Sequence, residues 1–390
     1  MTRIKTNINW LWCFLLLGAD ICCAQTKLLT YNAGLLETIP YKQERGDYIA
    51  ANIGQSDPDI ICLQEVWLRK DVEFILSINQ FRYPYFLSGV HKETRPKILT
   101  PCSNISLISV MFKLVANGCT SRTTPGQKAQ CVVEKTGAMD LPQKCISCLA
   151  VSATGGFKFT NLLQDCVLTS EGEVNLPGVL VLSKRPMINP QVKYFMPAIK
   201  KTVYRGYIHF QDEKVGDIAC THLTANLGFQ YIEPNLQSIF QSYEDQNFFE
   251  TVTMEIDLKS ASRVVIMGDL NFGGGIPQRN IKEEFGKSYH HLMISGYHSP
   301  YVDNVGLCTY CGNNALAVTQ YDLTNTESDQ ESSIIDHIFV RGISVVYSQR
   351  VFTEFVPGLP FTPSDHFGVQ ATVIDKGHDL KVHVKFNVTN

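Results

Sequence analysis

One stretch of the chain constrains its fold more than any other: residues 263–271, with the sequence RVVIMGDLN. Its apolar run VVIM is short, continuous and rich in β-branched side chains, which is typical of a strand covered on both faces. Gly268 then permits a bend or a close backbone approach. Asp269 and Asn271 follow, and side chains two residues apart point to the same face of an extended chain. The stretch therefore predicts a buried strand ending in a paired carboxylate and carboxamide, although a polar turn that closes a strand has the same pattern.

Other apolar segments also begin or end at polar side chains. These residues are Asn32, Glu65, His222, Asp336, Asp365 and His366. Carboxylate and amide oxygens suit a hard cation such as Mg²⁺, Mn²⁺ or Ca²⁺, and imidazoles exchange protons near neutral pH. No serine or cysteine nucleophile is among them. The set predicts metal-assisted attack of water on phosphorus, whereas each residue taken alone is explained as a strand cap, a solvated charge or a structural histidine.

Helical patterns alternate with the strands. We predict helices at Tyr41–Gly54, Arg69–Asn79, Tyr243–Leu258 and Asn280–Lys287. Many strands with interleaved helices indicate an α/β sandwich, with two sheets inside and helices outside.

The N-terminus has the pattern of a secretory signal peptide. Arg3 and Lys5 precede an apolar run, and small residues follow it up to Ala24. The run is shorter than the ~18 apolar residues of a membrane span, so an uncleaved anchor is the weaker alternative. We therefore expect a secreted protein, with residues 1–24 as the signal and 25–390 as one catalytic domain that carries a cysteine-rich insertion at about 91–172. We expect no later membrane span, and the net charge of −3 does not mark the chain as a polyanion binder.

Export and the even number of cysteines beyond the signal together predict disulfides. Ten of the 13 lie beyond the signal: Cys62, Cys102, Cys119, Cys131, Cys145, Cys148, Cys166, Cys220, Cys308 and Cys311. Cys62 and Cys220 lie in apolar strand patterns, and we predict that they are free, packed thiols. The C-x-x-C pairs 145/148 and 308/311 are also compatible with zinc half-sites, but export favours disulfides.

The order of these motifs resembles the endonuclease/exonuclease/phosphatase superfamily. The segments that carry the resemblance are Thr30–Asn32, Leu63–Trp67, Thr221–Leu223, Gly268–Asn271, Ile335–Ile338 and Ser364–His366. The resemblance implies a DNase I-like, four-layered α/β sandwich with two mostly antiparallel central sheets. Its site would lie where the two sheets open at one end.

The resemblance also implies a role for each residue. Glu65 would be the main metal ligand, with Asn32 and Asp365 close to the ion. His222 would contact the phosphate, and Asp269 and Asn271 would orient the water and hold phosphate oxygens. His366, oriented by Asp336, would act in acid–base or charge stabilisation.

Within the superfamily, the stretches 63–67, 83–89, 178–184 and 364–369 look like secreted neutral sphingomyelinases. This implies a phospholipid substrate at a membrane surface and release of phosphocholine. Phe229, Tyr231 and Tyr310 are candidates for contact with the quaternary ammonium. The insertion does not match that branch.

The alternative is a DNase I-like secreted endonuclease. It would need a basic track beside the site, for which Lys184, Arg185, Lys200, Lys201 and Arg205 are candidates. A non-catalytic module that binds a partner through the insertion is a third possibility.

Overall fold

The computed structural model describes residues 25–36, 39–92, 102–122, 125–142, 145–146, 148–149, 166–167, 174–196, 205–227, 230–231, 233, 236–320 and 332–374. The predicted signal peptide, Lys200, Lys201, Phe229 and the C-terminal residues from 375 onward lie outside the described residues.

Within the described residues, eleven strands form two sheets. The strands are β1 Gln25–Asn32, β2 Ile60–Gln64, β3 Tyr85–Ser88, β4 Leu180–Ser183, β5 Ile188–Tyr194, β6 Gly206–Asp212, β7 Gly216–His222, β8 Val264–Asp269, β9 Asp336–Arg341, β10 Ser344–Val351 and β11 Gly368–Ile374. The first sheet has the order β10-β11-β1-β2-β4-β3, and the second has the order β5-β6-β7-β8-β9. Only β1/β2 and β7/β8 are parallel pairs. The prediction of two mostly antiparallel sheets is therefore confirmed.

The helices are α1 Lys42–Asn52, α2 Arg69–Asn79, α3 Gly89–Lys92, α4 Asn104–Ala116, α5 Pro125–Lys135, α6 Tyr243–Leu258, α7 Gly286–Ile294, α8 Pro300–Asn304 and α9 Ala315–Gln320. Three of the predicted helices are confirmed. The fourth, at Asn280–Lys287, is wrong, because residues 281 and 284 make backbone bridges to other loops and the helix begins only at Gly286.

Apolar packing arranges these elements in four layers. One cluster fills the space between the sheets, with Leu28 and Ile60 against Ile218 and Val265. A second covers the outer face of the first sheet with α1 and α2, and a third covers the outer face of the second sheet with α6 and α7. Each sheet is therefore buried on both faces, which explains the nearly continuous apolar runs of its central strands.

The cysteine-rich segment has its own small core. Leu107 and Leu114 of α4 pack there with the buried cysteines. Three disulfides brace it, namely Cys102–Cys145, Cys119–Cys131 and Cys148–Cys166. The two cysteines of the first C-x-x-C pair are therefore bonded to different partners, whereas Cys308 and Cys311 are bonded to each other.

The prediction that Cys62 and Cys220 are free thiols is wrong. They form a disulfide that joins β2 of one sheet to β7 of the other, with their Cα atoms 5.7 Å apart. Both side chains point into the core between the sheets. The apolar pattern showed that each cysteine faces inward, but it carries no information about which residue faces it from the opposite sheet.

This disulfide should contribute more to stability than the short one at residues 308–311, because it closes a loop of 158 residues rather than 3. We expect Cys62→Ala/Cys220→Ala to lower the free energy of unfolding by about 2–5 kcal/mol, measured by urea denaturation. Cys308→Ala/Cys311→Ala is the control and should lose less. A smaller loss for the 62/220 pair would contradict this account.

Candidate active site and metal centre

The candidate site lies at one end of the two sheets, where several central strands begin or end; we call this end of the sheets the site edge. In the first sheet, β1 and β2 run parallel, with Asn32 paired to Gln64, so Asn32 and Glu65 lie at the same end. In the second sheet, His222 pairs with Asp269 and Asp269 with Asp336 in neighbouring strands. Three functional side chains therefore lie side by side across β7, β8 and β9.

A loop brings the remaining residues to this edge. Asp365 and His366 lie just before β11, separated from it by Phe367, and β11 runs antiparallel to β1. The left-handed Gly34 lies against this loop, and a Cβ placed on it would lie 2.7 Å from Asp365 Oδ1. Only glycine therefore permits the close approach of the β1 loop to Asp365.

The two sheets are joined at the site by Asp269. Its Oδ2 accepts a hydrogen bond from Asn32 Nδ2 at 2.9 Å, across the gap between the sheets. His222 Nε2 lies 3.5 Å from the same oxygen and His366 Nε2 lies 3.8 Å from it. Its Oδ1 accepts the Asn271 backbone N–H at 3.0 Å. One buried carboxylate is thus the point at which an amide and two imidazoles converge.

Asp336 and His366 form a buried pair. His366 Nδ1 donates to Asp336 Oδ2 at 2.8 Å. Burial alone would lower the pKa of His366, but Asp336 and Asp269 together raise it well above its usual value. The imidazole is therefore held as a cation whose Nε2 faces Asp269.

His222 has the opposite electrostatic environment. Burial lowers its pKa to about 3, and the charges of Arg205 and His366 add to the decrease. Trp67 packs beside its ring, with centroids 6.0 Å apart. The site thus combines a neutral imidazole with a charged one.

Asn271 follows β8, and its side chain contacts the residue after His222. Its Nδ2 donates to Leu223 O at 3.0 Å, and its backbone is left-handed with φ 53°. Leu270 between the two polar residues is buried in the outer core, as the alternation predicted. The Asn271 amide therefore ties the loop after β7 to the loop after β8, and this contact supports a positioning role.

Glu65 also has left-handed backbone, with φ 57°. A non-glycine residue in this region costs of order 1–3 kcal/mol, and such residues are enriched at active sites. Burial raises the pKa of Glu65 to about 8, with Asp365 and Asp269 adding to the rise while His366 and Asn32 oppose it. Similarly, burial and Asp336 raise the pKa of Asp269 to about 7. Burial and the neighbouring carboxylates therefore disfavour the ionised forms of Glu65 and Asp269 unless a further cation is present.

These residues fit a divalent cation. Asp336 Oδ1 is buried and has no hydrogen-bond partner. Glu65 interacts electrostatically with Asp365 and Asp269, so three carboxylates meet here. Ligand atoms of Asp269, Asp336 and His366 also lie within 4.8 Å of one another, but an imidazolium at His366 has no lone pair to offer a cation. Oxygen donors with excess negative charge are what Mg²⁺, Mn²⁺ and Ca²⁺ bind. A metal is therefore compatible with this edge.

The pKa shifts predict a metal-linked pH dependence. In the folded protein without metal, the pKa values of Glu65 and Asp269 are raised to about 8 and about 7, above their ordinary values of 4.5 and 3.8. Their contribution to stability is therefore fully present below the ordinary values and is lost as pH rises through the folded ones. In the presence of a chelator, we expect the unfolding temperature to fall as the pH rises through this range. Mg²⁺ should reverse the part of this fall that comes from ionisation of Glu65 and Asp269. Identical curves with chelator and with Mg²⁺ would contradict the assignment.

Arg45 is a supporting residue that the sequence did not reveal. Its fully buried guanidinium donates to Pro363 O at 3.0 Å and Gly34 O at 2.9 Å, and it also bonds Ala33, Pro40 and Ile39 carbonyls. It therefore joins the loop after Asn32 to the loop before Asp365. An arginine within a polar helix carries no signal of this role.

Tyr31 and His337, which adjoin Asn32 and Asp336 in sequence, have structural roles. Tyr31 is buried and stacks on Phe352 at 4.4 Å. His337 is buried and donates from Nε2 to Phe272 O and Ile334 O, both at 2.9 Å. Its side chain holds loops together and lies outside the set at the sheet edge.

The aromatic and basic residues that we predicted to contact the substrate do not lie together. Tyr231 donates to Gln246 in a separate cluster, while Tyr310 packs on His366 at 5.0 Å. Lys184 and Arg185 follow β4, which runs antiparallel to β2, so they lie beside Asp59 at the opposite end from Glu65. The predicted placement of these two residues beside the site is therefore wrong.

The layered fold and its polar edge define a class, the α/β-sandwich proteins of the DNase I-like type. The model of the endonuclease/exonuclease/phosphatase family matches residues 29–366. The chain therefore belongs to this family, whose members include hydrolases that act on phosphodiesters. No curated protein matches the chain in sequence.

Several solved structures are similar to this chain. An endonuclease/exonuclease/phosphatase from Beutenbergia cavernae is 15% identical with a TM-score of 0.48, over 90% of this chain and 71% of that one. Sphingomyelinase C from Streptomyces griseocarneus is 15% identical with a TM-score of 0.48, over 89% and 99%. TDP2 from D. rerio, solved with a single-strand DNA product, is 12% identical with a TM-score of 0.47, over 90% and 99%. These identities are too low to transfer a substrate to this chain.

Proposed function

We propose that this chain is a secreted, divalent-metal-dependent phosphodiesterase of the sphingomyelinase C type, which hydrolyses a phospholipid at a membrane surface and releases phosphocholine. The observation that carries the proposal is the convergence of Asn32, His222 and His366 on one oxygen of Asp269, at 2.9, 3.5 and 3.8 Å. Such a carboxylate can orient a water molecule and accept its proton while imidazoles contact the adjacent phosphate.

The metal would be held by Glu65, Asn32 and Asp365, and it would polarise the phosphoryl oxygen and neutralise charge that develops there. Mg²⁺ is the cation we propose, with Mn²⁺ or Ca²⁺ as alternatives, because all three take oxygen ligands.

The protein's own residues would supply the rest. The charged His366 would donate a hydrogen bond from Nε2 to an oxygen that gains negative charge, while Asp336 holds the ring by Nδ1. The neutral His222 would contact the phosphate from β7. Asn271, bonded to Leu223 O, would keep the β7 and β8 loops at a fixed separation.

Export is supported by the signal-like N-terminus and by five disulfides in the described residues. None of the helices in the described part of the chain has the length and apolar character of a membrane span.

The alternative, a DNase I-like endonuclease, is less well supported. The candidate basic track is interrupted, since Lys184 pairs with Asp57 and Arg185 with Asp212 at the far end of the sheet. Arg205, beside His222, pairs with Glu233 at 3.8 Å. Cations that already have acidic partners bind phosphate less readily.

A hydrolysis panel of sphingomyelin vesicles, lysolipid, DNA and RNA, run with Mg²⁺ and with chelator, tests the proposal. We expect Mg²⁺-dependent release of phosphocholine from sphingomyelin. No release together with robust DNA cleavage would replace the lipid proposal with the nuclease alternative.

A further inference from the structure

Asp336 begins strand β9 and His366 lies in the loop before β11, and the short segment 308–311 contacts the chain next to both residues. Thr309 and Tyr310 donate their backbone N–H groups to Ser333 O at 2.9 and 3.1 Å. Ser333 returns its N–H to Tyr310 O at 2.8 Å. On the other side, Phe367 N–H donates to Thr309 O at 2.8 Å. The segment thus bonds both the chain before Asp336 and the chain after His366.

The Thr309 hydroxyl acts on the first member of the pair. Its Oγ1 accepts the backbone N–H groups of Ile335 at 3.0 Å and Asp336 at 3.1 Å. Thr309 is completely buried, so water cannot replace this acceptor, and two backbone donors would be left unpaired without it. The hydroxyl therefore fixes the main chain from which the Asp336 carboxylate projects.

The Tyr310 ring acts on the second member. It packs against the His366 imidazole with ring centroids 5.0 Å apart, and the two residues also form a backbone bridge. The hydrogen bond to Asp336 still lets the His366 imidazole rotate about one axis. The contact with the Tyr310 ring limits that rotation.

The disulfide Cys308–Cys311 closes this segment. Arg350 of β10 holds it from outside, donating to Cys308 O at 2.9 Å while its guanidinium lies 4.6 Å over the Phe367 ring. A closed four-residue segment cannot extend, so the Thr309 hydroxyl and the Tyr310 ring keep a fixed spacing.

We propose that Thr309 is a positioning residue for the Asp336–His366 pair, and that the Cys308–Cys311 disulfide keeps Thr309 and Tyr310 in place for it. The inference rests on the proposed hydrolysis, and it adds a specific prediction. Loss of the Thr309 hydroxyl should lower kcat and leave substrate binding intact, because displacements of about 1 Å at a reacting group cost on the order of 10²-fold in rate.

The experiment compares Thr309→Val with Thr309→Ser and Thr136→Val. Thr136 is the matched control, since it is equally buried and its hydroxyl accepts the Ala138 N–H at 3.1 Å, within the cysteine-rich segment. We expect Thr309→Val to lower kcat at least about tenfold with KM within about twofold of the wild type. Thr309→Ser should recover most of the loss, and Thr136→Val should match the wild type. A kcat for Thr309→Val within about twofold of the wild type, or a change in KM alone, would overturn the inference.

The disulfide is tested in the same assay. Cys308→Ser/Cys311→Ser should lower kcat several-fold at unchanged KM. Cys119→Ser/Cys131→Ser, which removes another short-range disulfide from the cysteine-rich segment, should leave kcat unchanged. Equal effects of the two pairs would show that the 308–311 disulfide has no special relation to the site.

A structural readout separates failure of this inference from failure of the proposed function. If no substrate of the panel is hydrolysed, the proposed function fails, but a crystal structure of Thr309→Val still tests the positioning role. We expect the distance from Asp336 Oδ2 to His366 Nδ1 to exceed the 2.8 Å of the unsubstituted chain. An unchanged distance would overturn the inference. If Thr309→Val does not fold, the Tyr310→Leu variant is measured instead, and we expect the same loss in kcat.

Discussion

Glu65→Gln is expected to lower metal-dependent hydrolysis by on the order of 10³-fold or more, because the Lewis-acid contribution of a bound metal is several kcal/mol and each 1.36 kcal/mol is tenfold in rate. The substitution keeps the size of the side chain and removes the charge that the proposed cation needs. It also removes a carboxyl group whose pKa is raised by burial and, in addition, by Asp365 and Asp269. In the presence of a chelator, the Glu65→Gln variant should therefore unfold at a temperature equal to or above that of the wild type. Loss of activity then cannot be ascribed to unfolding.

The control for this substitution is Glu73→Gln. Glu73 is half exposed and pairs with Arg69 one helical turn away, so its loss should leave the rate unchanged. The measurement is hydrolysis rate against Mg²⁺ concentration. Wild-type activity in Glu65→Gln would contradict the assignment of the main ligand, and full biological effect without hydrolysis would favour a non-catalytic binding module.

His366→Asn should produce a loss of similar size, on the order of 10³-fold in kcat, with a smaller effect on KM. His366 supplies the charged imidazole beside Asp269, and asparagine retains a donor while losing the cation. Removing a donor placed at the developing charge of a reaction typically costs 10²–10³-fold, and loss of proton transfer adds to it.

Asp336→Asn tests the same pair from the other side. The carboxamide cannot hold the imidazolium as the carboxylate does, and we expect a loss of at least about 10²-fold. His290→Asn is the control, since His290 is exposed and pairs only with Glu283 among the described contacts of its imidazole nitrogens. A kcat for His366→Asn close to that of the control would remove His366 from the mechanism.

The strand ends were predictable from the sequence because two patterns agree there. An apolar run with β-branched residues identifies a central strand, and a polar residue at its end marks the sheet edge. Asp269 and Asp336 follow this rule, and the structure places them opposite each other in adjacent strands. The parallel pairs β1/β2 and β7/β8 put Asn32 near Glu65 and His222 near Asp269 by the same logic.

Contacts between the sheets were not predictable in the same way. The side-chain alternation of a strand shows which residues face inward, but not which residue faces them from the other sheet. For this reason the free-thiol prediction for Cys62 and Cys220 failed. The same limit applies to Asn32, whose hydrogen bond to Asp269 crosses between the sheets.

Supporting residues were missed for a second reason. Arg45 and Thr309 act through backbone carbonyls and N–H groups of loops that are distant in sequence, and such bonds depend on loop conformation rather than on any motif. The predicted placement of Lys184 and Arg185 failed on strand direction, because the antiparallel β4 carries both residues away from the site edge.

The central claim is that the strand ends of both sheets hold a divalent cation beside a phosphodiester. It is tested most directly by a crystal structure of the protein with Mn²⁺, located by its anomalous scattering. We predict a single strong peak about 2–2.5 Å from a carboxylate oxygen of Glu65, on the side of Asn32 and Asp365. A peak bound by Asp269, Asp336 and His366 without Glu65, or no peak at this edge, would contradict the account.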